Sequence, residues 1–338
     1  MYQPNLFMPM RKFILWIALI PLGLATGVKG QSGVITGKVV DARTKEPIPF
    51  AAVFFNGTFN GTSTDTLGKF EIVREDQQSI PLIISSLGYE TYTSTDYGNS
   101  SSISIRLIPK EYELDEIILK EKSLVKQRKR NLKVFRRELL GTSSNAKQCA
   151  ILNEDAIHFD YTQQGGDVKA FANEPIVIRN EALGYVIRYY LNDFFYDNKD
   201  RIVTYVGNMV FQEDLALSKG DQRRLDSRRE KTYEGSSMHF FRSLWNNSLS
   251  DDEFEVFNKY DGRILRYNHI VDERANKKFI VSPANLEICH NRKCRLLRFL
   301  KPRVEFNKDG YYDPLGLLWL STERVERVAD TLPFEYQP

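Results

Sequence analysis

From Gly33 to Pro109 apolar and polar residues alternate in runs too short for helices. Val34 to Ala42 is rich in β-branched residues and reads as a strand. Arg43 to Pro49 is polar, and Pro47 and Pro49 bar a helix there. Phe50 to Phe55 is a brief apolar run and predicts a buried strand. Asn56-Gly57, Asn60-Gly61 and Asp65 to Gly68 are turn signals, because Asn and Gly tolerate positive φ. Lys69 to Ile72 alternates outward and inward. Pro81 to Leu87 predicts another buried strand, and Gly88 precedes the Tyr-rich stretch Tyr89 to Tyr97. In Ser102 to Leu107, Ile103, Ile105 and Leu107 face one way and Ser102, Ser104 and Arg106 the other. About six or seven short strands in so short a stretch is the pattern of a Greek-key β-sandwich.

After Pro109 the period changes. Lys120 to Leu140 predicts one helix, with Leu124, Val125, Leu132, Phe135 and Leu139 as its apolar stripe and Gly141 where a C-terminal cap belongs. The opposite face carries Lys126, Arg128, Lys129, Arg130, Lys133, Arg136 and Arg137. Two readings stand: the solvated face of a linker helix, or a docking surface for anionic lipid headgroups or an acidic partner. No aromatic residues interleave with these bases, so nucleic acid is not expected.

From Asn145 the pattern becomes a larger mixed α+β region. Ala146 to Tyr161, Val168 to Ala172, Pro175 to Asn180, Leu183 to Phe195 and Ile202 to Phe211 predict strands, the middle ones paired. Asp214 to Thr232 predicts a basic helix. Ser236 or Ser237 caps a further helix to Leu249, with Met238, Phe241, Leu244 and Trp245 on one face. Phe254 to Phe257, Lys278 to Val281, Leu286 to Cys289, Cys294 to Leu300 and Leu315 to Leu320 predict strands. Asp309-Gly310 predicts a turn, and Glu323 to Ala329 a closing helix stopped by Pro333.

The chain has 338 residues, room for two domains, with 42% hydrophobic and 27% charged residues and a net charge of +3, too small to imply a polyanionic partner. Met10-Arg11-Lys12 followed by the apolar Phe13 to Ala25 and by Val28-Lys29-Gly30 predicts a signal peptide over 1–30, cut before Gln31. The apolar run is shorter than a spanning helix needs. The expected organisation is a signal peptide at 1–30, a sandwich at 31–109, a linker with a basic amphipathic helix at 110–144 and an α+β domain at 145–338. The sandwich is of a size that folds alone, though marginally.

The succession GKVVDARTKEPIPFAAV, GTSTDTLGKFEI, LIISSLGYET and ISIRL resembles the carboxypeptidase regulatory-like domain. That resemblance implies a transthyretin-like sandwich, a setting in the Gram-negative cell envelope and no catalytic residues. FANEPIVIRNEALGYVIRYYL, YEGSSMHFFRSLW and YDPLGLLWLSTERVERVADTLPFEY resemble the C-terminal region of exported proteins carrying this sandwich, and imply no reaction.

Candidate chemistry is sparse. His158, His239, His269 and His290 have no metal-ligand spacing, and no GxSxG elbow, P-loop or GxGxxG occurs. A nucleophile–base set such as Cys149 with His158 or His239 is open to these residue types, but nothing in the sequence selects it. Cys289 and Cys294 enclose HNRK between two predicted strands; a hairpin there places them opposite each other as a disulfide, and three reduced thiols are the alternative. Asp65-Thr66-Leu67 and Asp330-Thr331-Leu332 match an Asp-Thr-aliphatic pattern that resembles the O-glycosylation acceptor of exported bacterial proteins, with Thr66 and Thr331 both expected to face water. The functional expectation is an exported, non-enzymatic envelope protein, periplasmic or outer-membrane-associated. It binds an envelope protein or surface ligand and takes no cofactor. The alternative is a hydrolase with its catalytic groups in the C-terminal region.

Overall fold

The structure is a computed structural model and describes residues 33–74, 80–97, 102–110, 121–163, 165–214, 222–275, 277–320 and 326–338. The predicted signal peptide, Lys120 and the first residues of the predicted closing helix lie outside the described residues. Among the described residues no helix is long and apolar enough to cross a membrane.

The first layer contains β1 (Gly33–Asp41), β2 (Ala52–Phe55), β3 (Gly61–Ser63), β4 (Lys69–Arg74), β5 (Leu82–Ser85), β6 (Tyr92–Ser94) and β7 (Ser102–Leu107). They form two sheets, ordered β4-β1-β7 and β3-β2-β5-β6. β1 runs antiparallel to β4 and parallel to β7. Alternation aims Ile35, Val39, Phe70, Ile72, Ile105 and Leu107 at Val53, Phe55, Leu82 and Ile84 of the other sheet, and this is the core of the layer. β2 and β5 are apolar on both faces. Their other side chains, Phe54 and Ile83, are also buried, outside that core, against Val210 and Tyr190 of the next sheet.

The second layer begins with α1 (Glu121–Leu140). It continues through β8 (Cys149–Ile151), β9 (Ile157–Asp160), β10 (Val168–Ala172), β11 (Ile176–Asn180), β12 (Tyr185–Asp197) and β13 (Ile202–Glu213) to α2 (Gln222–Tyr233). The long β12 is the spine. One edge pairs first with β11 and then with β10, and the other edge pairs with β13 along its length. The β12–β13 register slips between Leu191 and Asp193, a bulge that keeps Tyr185, Ile187, Tyr189, Leu191, Phe194 and Tyr196 on the core face. α1 covers that face through Phe135, Leu139 and Leu140, with Phe135 against Phe194 at 4.6 Å. This helix is therefore built into a core, not a tether between domains. Its stripe also differs from expectation: Val125 is exposed, and Asn131 is buried one turn before Phe135.

The third part contains α3 (Ser237–Asn246), β14 (Phe254–Asn258), β15 (Ile264–Leu265), α4 (Tyr267–Ile270), β16 (Val271–Arg274), β17 (Lys277–Val281), β18 (Leu286–His290), β19 (Lys293–Phe299), β20 (Arg303–Phe306) and β21 (Leu317–Leu320). The sheets run β15-β14-β18-β19-β21 and β16-β17-β20. α3 packs Phe240, Phe241 and Leu244 among them. Ser236 caps α3 by accepting a hydrogen bond from the His239 amide at 3.1 Å.

Three expectations are corrected. Strands predominate among the described residues, with four α-helices, so the chain expected to be α+β overall, and its larger mixed α+β region, are mostly β. Ala146 to Tyr161 is not one strand but β8 and β9 separated by a short 3₁₀ turn at Glu154–Ala156. At the closing helix, Glu326 and Arg327 are non-helical and only a 3₁₀ turn forms at Val328–Asp330.

Candidate functional site

Two cavities lie where these layers meet. The larger is an open cleft of about 640 Å³ between the outer face of β2 and β5 and the face of β12 that carries Arg188 and Tyr190. Tyr190 stacks on Phe54 at 4.6 Å between the ring centroids and closes its floor. Phe50 and Leu87, 73% and 70% exposed, stand at its rim, with Arg188, Glu174 and Lys110 among the polar groups along its walls. An open trough with exposed apolar anchors and charged groups of both signs is suited to holding a partner.

The smaller cavity, about 330 Å³, lies between β13, the start of α3 and the loop Gly310 to Leu315. Tyr189, Tyr205, Tyr311 and Tyr312 contribute rings and Glu326 a carboxylate. Glu326 accepts from Trp319 Nε1 at 2.9 Å and Ser237 Oγ at 2.9 Å, with Arg295 Nε at 3.8 Å. Burial raises the Glu326 pKa, while Arg295, Ser237 and Trp319 act against that. Sequence reasoning missed this site: Glu326 sits in a run of alternating acids and bases with no motif, and the tyrosines come from three separated strands and loops.

The nucleophile–base set is not assembled. Cys149 donates to the Asn145 carbonyl at 3.4 Å, and burial pushes its thiol up to about 12. His158 lies beside Asn173 Nδ2 at 3.3 Å and stacks on Phe171. His239 Nδ1 accepts from the Gly235 amide at 3.0 Å, and its ring faces Tyr233 and His290. His269 Nδ1 accepts from the Arg266 amide at 3.0 Å. Among the described residues no group of three or more His, Cys, Asp or Glu is placed to hold a metal ion.

Cys289 and Cys294 are register partners on β18 and β19, joined by a 2.03 Å disulfide. The connecting loop is Asn291-Arg292 alone, both at positive φ, so the expected four-residue loop is a two-residue turn. On α1, Lys126, Lys129, Arg130 and Lys133 are exposed. Arg128 turns inward and donates to the Ile157 and Glu154 carbonyls at 2.8 and 2.9 Å. Arg136 pairs with Glu154, and Arg137 with Glu138 at 2.6 Å. Arg136 and Arg137 stay exposed within these pairs, so of the seven bases Arg128 alone is withdrawn from the open face. Thr66 is exposed. Thr331 is not the water-facing residue expected: it is half-buried between buried Asp330 and Leu332, and its hydroxyl donates to the Val328 carbonyl at 2.8 Å.

No curated protein matches the chain. Among solved structures, a protein of unknown function from Bacteroides fragilis NCTC 9343 is similar at 11% identity and a TM-score of 0.19, over 86% of this chain and 95% of that one. A 9R-lipoxygenase from Cyanothece PCC8801 is similar at 11% identity and a TM-score of 0.20, over 65% of this chain. The chain spans about half (49%) of the lipoxygenase's length. Residues 35–119, which include all of the first layer after the start of β1, match the CarboxypepD_reg-like domain, and the chain therefore carries such a domain.

Proposed function

We propose that this chain is an exported, non-enzymatic envelope protein that uses the cleft between its first layer and β12 to hold a segment of another envelope protein. In this reading the first layer is a Greek-key, transthyretin-like sandwich serving as one wall of a binding site. The observation that carries the reading is the cleft itself. Phe50 and Leu87 are large apolar side chains left exposed at its rim, while Phe54 and Ile83 on the same sheet are fully covered. Exposed anchors beside a formed trough mark an interaction surface more often than chance exposure does. Lys126, Lys129, Arg130 and Lys133 on α1 offer peripheral contact with anionic headgroups. Exposed Thr66 is the one of the two Asp-Thr sites that a glycosyltransferase reaches.

The test is in-cell photo-crosslinking. A benzophenone side chain at Leu87 is expected to trap a discrete envelope protein. The same group at Tyr260, 90% exposed and outside the cleft, is expected to trap none. Phe50→Asp should abolish the Leu87 adduct. Identical adducts from both positions, or none from Leu87, would overturn the reading. N-terminal sequencing of this chain, recovered from the envelope, should begin at Gln31; an intact Met1 or Met10 would refute export by signal cleavage.

A further inference from the structure

We infer that the 330 Å³ cavity bounded by β13, the start of α3 and the Gly310 to Leu315 loop binds a small organic cation, an amine or quaternary ammonium on an apolar body. This site shares Phe211 alone with the cleft and does not depend on the function proposed for it.

Size and shape come first. The volume lies at the lower end of the range of small-molecule pockets. Its mouth is apolar: Val206 and Leu315 are 42% and 63% exposed there. The bulge in β12 falls directly opposite Gly207 and Val206, at the rim. The floor is the Tyr189 ring, which lies across Gly207 so closely that an added Cβ would come within 2.5 Å of it.

Charge decides the ligand class. Among the described residues that line the cavity, the titratable acids are Glu326 and Asp330, and no Lys, Arg or His lines it. Asp330 is engaged by Ser143 Oγ at 2.8 Å and Asn145 Nδ2 at 2.9 Å. Glu326 is fixed by Trp319 and Ser237, and Arg295 at 3.8 Å offsets part of its charge from outside the cavity. The remaining wall is uncharged, with tyrosine rings beside Phe211, Phe334 and Met238; the Tyr205 ring already carries the Arg327 guanidinium at 5.5 Å, which leaves Tyr189, Tyr311 and Tyr312 for a ligand. Burial raises the Tyr189, Tyr311 and Tyr312 pKa values, so these phenols stay protonated at neutral pH. Neutral phenol rings present electron-rich faces, which attract a cation once it is stripped of water. An anion would meet carboxylates and ring faces, both repulsive. A neutral apolar ligand would fit the volume but leave the polar groups around Glu326 no better paired.

Trp319 supplies the readout, because its indole N–H donates to Glu326. The full chain is labelled with ¹⁵N-tryptophan, and the Trp319 signal is assigned with Trp319→Phe. Titration with 2-phenylethylammonium is expected to shift that signal saturably. 2-Phenylethanol should bind at least tenfold more weakly, and 3-phenylpropionate should cause no shift. Glu326→Gln should bring amine affinity down to that of the alcohol. Leu315→Trp, at an exposed position, should close the mouth and remove binding even if the Glu326 variant folds poorly. Equal affinity for amine and alcohol, no saturable shift with the amine, or unchanged binding in Leu315→Trp would each overturn the assignment.

Discussion

Single side chains set the limits of this molecule where they are packed on both sides. Gly207 faces the Tyr189 ring, whose atoms would lie 2.5–2.6 Å from a new Cβ, and Tyr189 is itself buried. Gly207→Ala should therefore destabilise the fold by about 1–3 kcal/mol, read from the urea midpoint. An unchanged midpoint would mean that the ring can move aside. His239 makes a pH-dependent contribution. Burial, then the neighbouring His290, lowers its pKa from 6.5 to about 4. The unfolded chain thus takes up the proton first as pH falls. The stability His239 confers is complete above pH 6.5 and is lost as pH drops toward 4. Burial also lowers the His290 pKa, with the same sign. Urea midpoints at pH 7 and pH 4.5 should differ less in His239→Gln than in the parent. An equal drop in both would assign the acid sensitivity to carboxylates.

Elements were legible in the sequence wherever one face alone is buried. β7 was readable residue by residue from its alternation; α3 was readable from its serine cap and apolar spacing, but Phe240 to Leu244 are buried all round and the helix ends at Asn246, short of the expected Leu249. What the sequence could not show is which layer covers a strand's second face. Phe50 to Phe55 reads as buried, but only the structure separates Val53 and Phe55, in the sandwich core, from Phe54, against Tyr190. The short β15, β16 and β20 went unseen because two to four residues carry too little periodicity. The candidate pocket was illegible because it is assembled from Tyr189, Tyr205, Tyr312 and Glu326, which are far apart in the chain. The shared face of β2 and β5 changes what an isolated first layer should do. Cut free as residues 33–110, it would expose Phe54 and Ile83, each worth about 1.5–3 kcal/mol of burial. That fragment should bind a hydrophobic dye and unfold at lower urea than the full chain. Phe54→Ser with Ile83→Ser should suppress the dye signal. A fragment that melts cooperatively without dye binding would restore the expectation of an autonomous sandwich.

At the scale of the whole molecule, the layers are fastened to one another by a few backbone contacts. Ser32–Pro338 forms one compact unit. The turn after β2 reaches β13: the Gly57 amide donates to the Met209 carbonyl at 2.7 Å, and the Phe211 amide donates to the Thr58 carbonyl at 2.8 Å. The segment Leu332 to Tyr336 then crosses all three parts. The Phe334 amide donates to the Gly57 carbonyl at 2.9 Å, Glu335 accepts from the Phe59 amide at 2.9 Å, and Leu332 enters the core under α1. Arg242, buried on α3, holds this segment from the other side. It donates to the Phe334 and Tyr336 carbonyls at 3.1 and 2.8 Å and to the Asp309 carbonyl at 3.0 Å, with its guanidinium over the Tyr233 ring. Among the described residues this buried guanidinium meets backbone carbonyls and the Tyr233 phenol, with no carboxylate paired to it, so its role is geometric. Arg242→Met would keep much of the volume and leave three carbonyls short of a donor. At about 1–3 kcal/mol for each buried group left unsatisfied, the expected loss is roughly 3 kcal/mol or more. Hydrogen exchange should localise it. The Phe334 and Gly57 amides should lose protection first, while amides within β18 and β19 keep theirs. Uniform loss across every sheet would mean that the layers unfold as one, and that Arg242 supports the whole instead of fastening its parts.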